Sequence, residues 1–516
     1  MTSIPWRRAA GAITLTLTLA LAACTGTVED ATSDGPTTSG DDQTLTIGII
    51  TEPTSFDPAQ AGEGHYIPYY QATYDTLILR EPDGSLSPML ATQWEYDADL
   101  TALTLTLRDD VTFTDGQTFD ADAVKTNLEH FQEANGPQAA TLASLESVEV
   151  VDPTTVVLHL SEPDPALLIY LSNAAGFMAS PAALSAGTLD AEPVGSGPYT
   201  LDAADTITGT QYTYVRNADY WGEDLPYATV VFKYFPDETA RLNALKAGEV
   251  NAAVLTAVQS ADEAERSGLV QVPGYATDWQ GLTFFDRGGE IVPALADARV
   301  RQAINYAFDK DAMLKGLMLG RGTVTSQVFG VATLGFDEDL EDAYTFDPDK
   351  ARELLVEAGY ADGFTLPLPN LSAFDPSVIA SIVQQLGDIG ITVDLTEVAP
   401  ADFFSQVFSA SHPVTFMSFF QPTDWVMIKQ FIAPDAVWNP FGTDDPVVSG
   451  LVGTIQNTTG DEQADAAQEL NRYIVEQAWF APFWRAEQMW FTDASTTVVA
   501  QSEQASPSLY NWAPAN

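Results

Sequence analysis

The hydrophobic pattern along the chain predicts short strands that alternate with helices. At residues 44–50, apolar and smaller residues alternate, which is typical of a strand with one buried face. Residues 111–113 show the same alternation and predict a second, short strand. We therefore expect an α/β fold.

Helices are predicted where apolar residues recur every three to four positions after a capping residue. Asp120 can cap one such helix, and Asp347 can cap another that Gly359 ends. A third helix, around residues 379–386, leads into a predicted strand at 391–395. These elements extend the α/β pattern through the second half of the chain.

The amino terminus is typical of an export signal. Arg7 and Arg8 precede an apolar run over residues 9–23, which is too short to be a convincing membrane span. The run ends in Leu-Ala-Ala-Cys, which resembles the lipobox of bacterial lipoproteins, in which the thiol of Cys24 would receive a diacylglycerol. We expect residues 1–23 to be a signal peptide.

Residues 24–43 are predicted to be a lipidated, disordered tether, because they are rich in Thr, Ser, Gly and Asp. The alternative to a lipoprotein signal is an ordinary signal peptide with an incidental cysteine at position 24. Cys24 is the only cysteine in the sequence, so an internal disulfide, a thiolate metal cluster and a cysteine nucleophile are all excluded.

The chain is strongly acidic, with 72 Asp and Glu against 21 Lys and Arg and a formal net charge of −51. Phosphate backbones would repel such a surface, so we expect no nucleic-acid partner. Solubility or salt adaptation explains this charge, and charge-selective capture of a ligand is the alternative.

The sequence contains none of the common catalytic or metal-binding motifs considered below. The four histidines form neither an HExxH motif nor a pair at the spacing of metal ligands on a helix. Gly195-Ser196-Gly197 lacks the outer spacing of a nucleophile elbow, and no Walker-type phosphate loop is present. We therefore predict no enzymatic activity, no cofactor and no metal site.

A series of short motifs resembles the family 5 extracellular solute-binding proteins, the group that includes peptide receptors of ABC importers. In chain order the motifs are SFDP at 55–58, LA and WE at 90–95, LRDDVTFTDG at 107–116, ADAV at 121–124, GSGPY at 195–199, RNADYWG at 216–222, LKAGEV at 245–250, DARVRQAI at 297–304 and DPDKA at 347–351. Each motif alone is weak, whereas the ordered series is specific.

The resemblance implies a two-lobed periplasmic-binding-protein-like fold of type II, with an extra subdomain in the first lobe. Carried onto this sequence, lobe I would span residues 44–285 with the subdomain at about 84–193. Lobe II would span 286–490, and 491–516 would return to lobe I. Ligand would be enclosed between the lobes by a hinge motion.

The implied function is that of an extracytoplasmic receptor that captures peptides or peptide-like solutes and delivers them to ABC permease subunits. We expect a monomer, held by the lipid on Cys24 at the outer face of the cytoplasmic membrane. The alternatives are a receptor for an oligosaccharide, a metal chelate or another cationic solute, and a sensory lipoprotein of the same fold.

The resemblance also indicates where the ligand would bind. Asp424 matches an aspartate that receives a peptide's α-ammonium, and a desolvated ammonium requires such a fixed carboxylate. Candidate pocket walls around it are Phe420, Gln421, Trp425, Trp279 and Trp484. A second segment, which includes Gly64 and His65, would line the ligand backbone.

One departure from the family pattern concerns the ligand's carboxylate. The oligopeptide-binding members place an arginine shortly before the aspartate, whereas residues 415–419 contain no basic residue. Arg485 or Arg287 could substitute. Aromatic surroundings poor in basic residues also suit an oligosaccharide or a cationic solute.

Overall fold

The computed structural model describes residues 43–274, 276–420 and 423–515. The predicted signal peptide, Cys24 and almost all of the predicted tether lie outside these ranges. Within the described residues, no helix combines the length and the apolar character that a membrane span requires. The described part of the chain mixes helices and sheets, as the α/β pattern predicted.

The strands, in chain order, are β1 Thr44–Ile49, β2 Ile78–Arg80, β3 Leu86–Pro88, β4 Ala91–Tyr96, β5 Ala102–Leu107, β6 Leu145–Asp152, β7 Thr155–Leu160, β8 Tyr199–Leu201, β9 Gln211–Arg216, β10 Thr229–Tyr234, β11 Ala252–Leu255, β12 Val270–Gln271, β13 Ala276–Phe284, β14 Thr323–Val324, β15 Phe364–Asn370, β16 Ile391–Glu397, β17 Val414–Phe420, β18 Phe480–Glu487, β19 Met489–Thr492, β20 Thr496–Val498 and β21 Trp512–Pro514.

The α-helices are α1 Ile67–Gln71, α2 Ala121–Glu133, α3 Leu167–Tyr170, α4 Pro181–Ala186, α5 Glu238–Lys246, α6 Val258–Arg266, α7 Ala298–Tyr306, α8 Lys310–Leu317, α9 Pro348–Glu357, α10 Pro376–Asp388, α11 Pro400–Phe408, α12 Asp424–Met427, α13 Pro446–Asn457 and α14 Asp461–Glu476.

The largest sheet of the described residues has seven strands in the order β12-β19-β11-β1-β10-β9-β8. Strand β1 lies at its centre and pairs in parallel with β10 and β11. Leu45, Ile47 and Ile49 on β1 are almost completely buried and belong to the main core cluster. The predicted strand at 44–50 and its buried face are therefore confirmed.

A separate antiparallel sheet has the order β14-β18-β13-β17. Apolar residues of β13, β17 and β18 are buried in a second core cluster together with helices α7, α9 and α10. A third sheet, in the order β4-β5-β7-β6, packs against α2 and lies within the predicted subdomain range.

The chain passes between the two larger sheets twice. Strand β12 belongs to the seven-stranded sheet, and the next strand, β13, pairs only with members of the second sheet. Later, β18 in the second sheet and β19 in the first are separated by a single residue. We therefore propose lobe boundaries near residues 273 and 488, whereas the sequence predicted 285 and 490.

Local signals for helices correspond to the observed elements. The Asp120 carboxylate accepts a hydrogen bond from the Ala123 N–H, and Asp347 caps α9 in the same way through the Lys350 N–H. Helix α10 ends at Asp388, and β16 begins at Ile391, directly after Gly390.

The predicted strand at 111–113 is wrong. These residues make only an isolated bridge between Thr112 and Thr118, within a turn. Val111 and Phe113 alternate with exposed residues because both side chains enter the core, although no strand in the described part of the chain pairs with this segment.

Candidate functional site

Two neighbouring cavities form a cleft between parts of the chain that are distant in sequence. Their volumes are about 570 and 290 Å³, and four lining residues are common to both: Arg80, Ile169, Thr423 and Glu503. Volumes of this size are in the range of small-molecule sites, roughly 300–1,000 Å³. We treat the two cavities as one candidate site.

The cleft has two walls of different origin. The first wall comes from residues before 174 and after 502, and includes Glu63, Gly64, Arg80, Ile169, Asn173, Glu503 and Gln504. The second wall comes from residues 332–467, and includes Leu334, Phe420, Thr423, Asp424, Trp425, Val426 and Ile455. The first wall has three of the four charged lining residues, Glu63, Arg80 and Glu503, whereas the second is mostly apolar.

Asp424 is the charged residue of the second wall, and its carboxylate is held by backbone groups. One oxygen accepts a hydrogen bond from the Leu334 N–H at 2.8 Å and the other from the Gly335 N–H at 2.7 Å. Burial raises the pKa of the Asp424 carboxyl, and the two backbone hydrogen bonds oppose that rise. A Cβ atom at residue 335 would lie 2.8 Å from a carboxylate oxygen, so the close approach depends on glycine.

Two other predicted wall residues also contact the cleft. The Trp425 side chain lines the smaller cavity and is otherwise buried in the core cluster beneath it. Phe420, at the end of β17, lines the larger cavity and remains 40% exposed. Gln421 lies outside the described residues, so its predicted role stays a prediction.

The predicted segment on the first wall contributes one residue directly. Gly64 lines the larger cavity and has φ = +64°, a conformation that favours glycine. His65 points elsewhere, because its Nδ1 lies 2.9 Å from the Ser506 hydroxyl oxygen and neither cavity includes it. Burial is the main cause that lowers the pKa of His65 to about 4, and the nearby Arg241 charge adds to it.

Both predicted tryptophans outside this region lie in the interior. The Trp279 side chain is fully buried, with its ring centroid 5.1 Å from that of Phe419. Trp484 is also fully buried and donates a hydrogen bond from Nε1 to Gln280. Since neither residue lines a cavity of the cleft, we remove both from the candidate site.

The two arginines considered as receptors for a ligand carboxylate are already engaged. Arg485 is 1% exposed and forms an ion pair with Glu341, with Nη1 2.5 Å from the carboxylate. Arg287 donates to the Phe284 carbonyl and to the Asn439 side chain, and its guanidinium lies over the Trp479 ring. Neither arginine lines the cleft, so the structure does not support this role for either.

Comparison with known proteins identifies the group to which the chain is related. The family model of the bacterial extracellular solute-binding proteins, family 5 (middle), matches residues 85–428. The chain belongs to this family. The predicted family and the type II two-lobed fold class are thereby confirmed.

Individual family members match most of the chain. Heme-binding protein A of Haemophilus influenzae is 29% identical over 391 residues, which cover 68% of this chain and 69% of that protein. Glutathione-binding protein GsiB of Salmonella typhimurium is 26% identical over 465 residues, which cover 85% and 88%. The structure of the ABC transporter substrate-binding protein CtaP of Listeria monocytogenes superposes with a TM-score of 0.78 at 22% identity and covers 92% of this chain and all of that one.

The family assignment confirms that the chain is an extracytoplasmic solute-binding protein of the kind that serves ABC importers.

Within the described residues, no group of three or more His, Cys, Asp or Glu side chains is arranged to hold a metal ion.

Sequence reasoning missed the charged residues of the first wall. Arg80 ends β2 and lines both cavities, where it pairs with Glu503. Glu63 lines the larger cavity nearby, and burial raises the pKa of its carboxyl. Arg80 is neither a sequence neighbour of Asp424 nor close to a predicted lobe edge, so the sequence pattern did not connect it with the site.

Proposed function

We propose that this protein captures a peptide or a peptide-like solute in the cleft and delivers it to the permease of an ABC importer. One observation carries the proposal: the Asp424 carboxylate lies buried on the cleft and, among the described residues, pairs with no cationic side chain. A buried carboxylate without a counter-ion is suited to bind an ammonium group.

The size of the cleft and the nature of the walls support the same ligand class. The apolar second wall can cover aliphatic or aromatic side chains, and the polar first wall can hydrogen-bond a peptide backbone. GsiB, a relative that aligns with 85% of this chain, is a glutathione-binding protein, and glutathione is itself a peptide with an α-ammonium group.

The proposal includes the location and the partners. The protein would be anchored by a lipid on Cys24 at the outer face of the cytoplasmic membrane and act there as a monomer, without catalysis. Replacement of Cys24 by Ala should release the protein into the medium, and metabolic labelling with palmitate should mark the wild-type chain alone. A Cys24→Ala chain that stays on the membrane would remove the anchor from this proposal.

Mass spectrometry of the material released from purified, denatured protein tests the ligand class, followed by calorimetry with the compound found. We expect short peptides to co-purify, and the tripeptide trialanine to bind with a micromolar or lower Kd. If no peptide co-purifies and trialanine does not bind, the peptide function is wrong.

A chelate or heme receptor is the second candidate. The 29% identity to heme-binding protein A and the apolar second wall favour it. Titration with hemin decides between the two candidates. The visible absorbance spectrum of hemin should change if the protein binds it, and should stay that of free hemin if the protein binds only peptides.

A further inference from the structure

Arg80 is a buried cation that lines both cavities of the cleft. Its side chain is 9% exposed and projects from the end of β2, close to Glu63 and Glu503. Burial is the main cause that lowers the pKa of Arg80 to about 10, so the guanidinium stays charged at neutral pH. A charge in such a place needs a counter-ion.

Only part of the Arg80 guanidinium is used by the described residues. Nη2 donates to a carboxylate oxygen of Glu503, whereas Nε is buried and has no hydrogen-bond partner among the residues that the structure describes. A guanidinium can hold a carboxylate through two parallel N–H donors, and the Nε and Nη2 pair is one such fork. Arg216, Arg287 and Arg485 also have a partnerless Nε within the described ranges, but none of them lines either cavity.

Glu503 reaches Arg80 from a segment more than 400 residues later in the chain. The Gln501 side chain donates to the Glu81 carbonyl at 2.6 Å, and the Ser502 N–H donates to the Pro82 carbonyl at 2.9 Å. These contacts hold the segment against β2. Glu503 itself has φ = +51°, a conformation that is uncommon for residues other than glycine.

We propose that Arg80 binds a carboxylate of the transported solute. The carboxylate of Glu503 occupies that position beside the Arg80 guanidinium until the solute binds. The inference rests on the proposed function and makes its ligand class narrower. The solute would carry an ammonium for Asp424 and a separate carboxylate for Arg80, as a free peptide does.

The charge balance favours a carboxylate over a second cation at this position. A cation that bound to Glu503 would draw it away from Arg80, and Glu63 alone would then remain as an acidic neighbour of the buried guanidinium. A ligand carboxylate instead replaces one counter-ion by another. It can also satisfy the Nε donor that Glu503 leaves without a partner.

Calorimetry with trialanine and with its carboxyl-terminal amide tests the inference on the full mature protein. Wild type should bind the acid at least about tenfold more tightly than the amide, because a charge-assisted bond is lost with the carboxylate. Arg80→Gln should abolish this preference. Glu503→Gln should strengthen binding of the acid several-fold and should change the affinity for the amide less than the affinity for the acid.

Two further variants separate the effect from misfolding. The double variant Arg80→Gln/Glu503→Gln removes both charges together, so it should fold even if Arg80→Gln does not, and it should bind acid and amide equally. Glu265→Gln is the matched control. It removes the acid of the Arg321 ion pair, which is outside the cleft lining, and should leave both affinities unchanged.

Each contrary result has a distinct meaning. Equal binding of acid and amide by wild type, or weaker binding of both by Glu503→Gln, overturns the carboxylate role of Arg80 and leaves the peptide function standing. Tighter binding of the amide also overturns it and indicates a cationic solute. If wild type binds neither compound, the proposed peptide function fails, and this inference fails with it.

Discussion

The two walls of the cleft hold their carboxylates in different ways. On the second wall, backbone N–H groups hold Asp424, and no cationic side chain among the described residues pairs with its carboxylate. On the first wall, Glu503 is neutralised by Arg80. Under our proposals, the second wall binds the ammonium of the solute, whereas on the first wall the carboxylate of the solute replaces Glu503 in the ion pair with Arg80.

The support beneath the walls differs as well. Behind the second wall lies an aromatic core around Trp279, together with the buried Arg485–Glu341 pair. The first wall depends more on polar contacts between β2 and the segment around residue 502. We therefore expect substitutions in the core behind the second wall to change the stability of the protein, and substitutions on the cleft to change its ligand affinity.

Trp279→Ala should have the largest effect. Its fully buried ring packs against Phe419 and Phe480, and removal of a large buried aromatic side chain costs about 3–5 kcal/mol of unfolding free energy. Denaturant unfolding measures this loss. Trp279→Phe, which keeps most of the packing, should bind ligand as wild type does. A loss of affinity in a stably folded Trp279→Phe protein would restore Trp279 to the ligand site.

Glu341→Gln should have the next largest effect, on stability rather than on binding. It leaves the Arg485 guanidinium, which is 1% exposed, without its counter-ion, and such a change costs about 3 kcal/mol. Glu265→Gln breaks an ion pair whose acid is 45% exposed and should cost less than about 1 kcal/mol. Similar unfolding free energies for the two variants would contradict the structural role of the Arg485 pair.

Features encoded within about ten residues could be predicted from the sequence. The helix caps at Asp120 and Asp347 and the buried face of β1 are of this kind, since spacing and local hydrogen bonds determine them. Asp424 was found only through the family resemblance. It lies on the cleft, and its role there remains a prediction.

Features that arise from tertiary contacts could not be predicted in this way. Arg80 and Glu503 are 423 positions apart, and nothing in either local segment indicates that they meet. The prediction that Trp484 and Arg485 line the ligand site is not supported, because here the local sequence indicates a site that the tertiary structure does not form. An aromatic and a basic side chain suggest a binding surface, but almost every residue of β18 is buried, because other strands pair with it on both edges and the core covers its faces.

Asp424→Asn tests the second wall directly. The amide is isosteric with the carboxylate, but it has no negative charge, so affinity for trialanine should fall at least about tenfold, or about 1.4 kcal/mol. Calorimetry measures the change, and the acetylated tripeptide, which lacks the ammonium, is the control. Wild type and Asp424→Asn should bind the acetylated form equally weakly. If Asp424→Asn keeps the wild-type affinity for trialanine, Asp424 does not receive the ammonium.

His65→Gln tests a residue next to the first wall, between Gly64 and the segment that carries Glu503, and should have the smallest effect. The pKa of His65 is about 4 in the folded protein and about 6.5 in an unfolded chain, so between these values the unfolded state binds more protons. Stability from this group is therefore complete above about pH 6.5 and is lost as the pH falls towards 4. From pH 7.5 to 5.5, wild type should lose about 1 kcal/mol of unfolding free energy more than His65→Gln. Because the chain has many other titrating groups, only this difference between the two proteins is informative. Equal losses would show that folding does not lower the pKa of His65, and therefore that its ring is not held neutral beside Ser506.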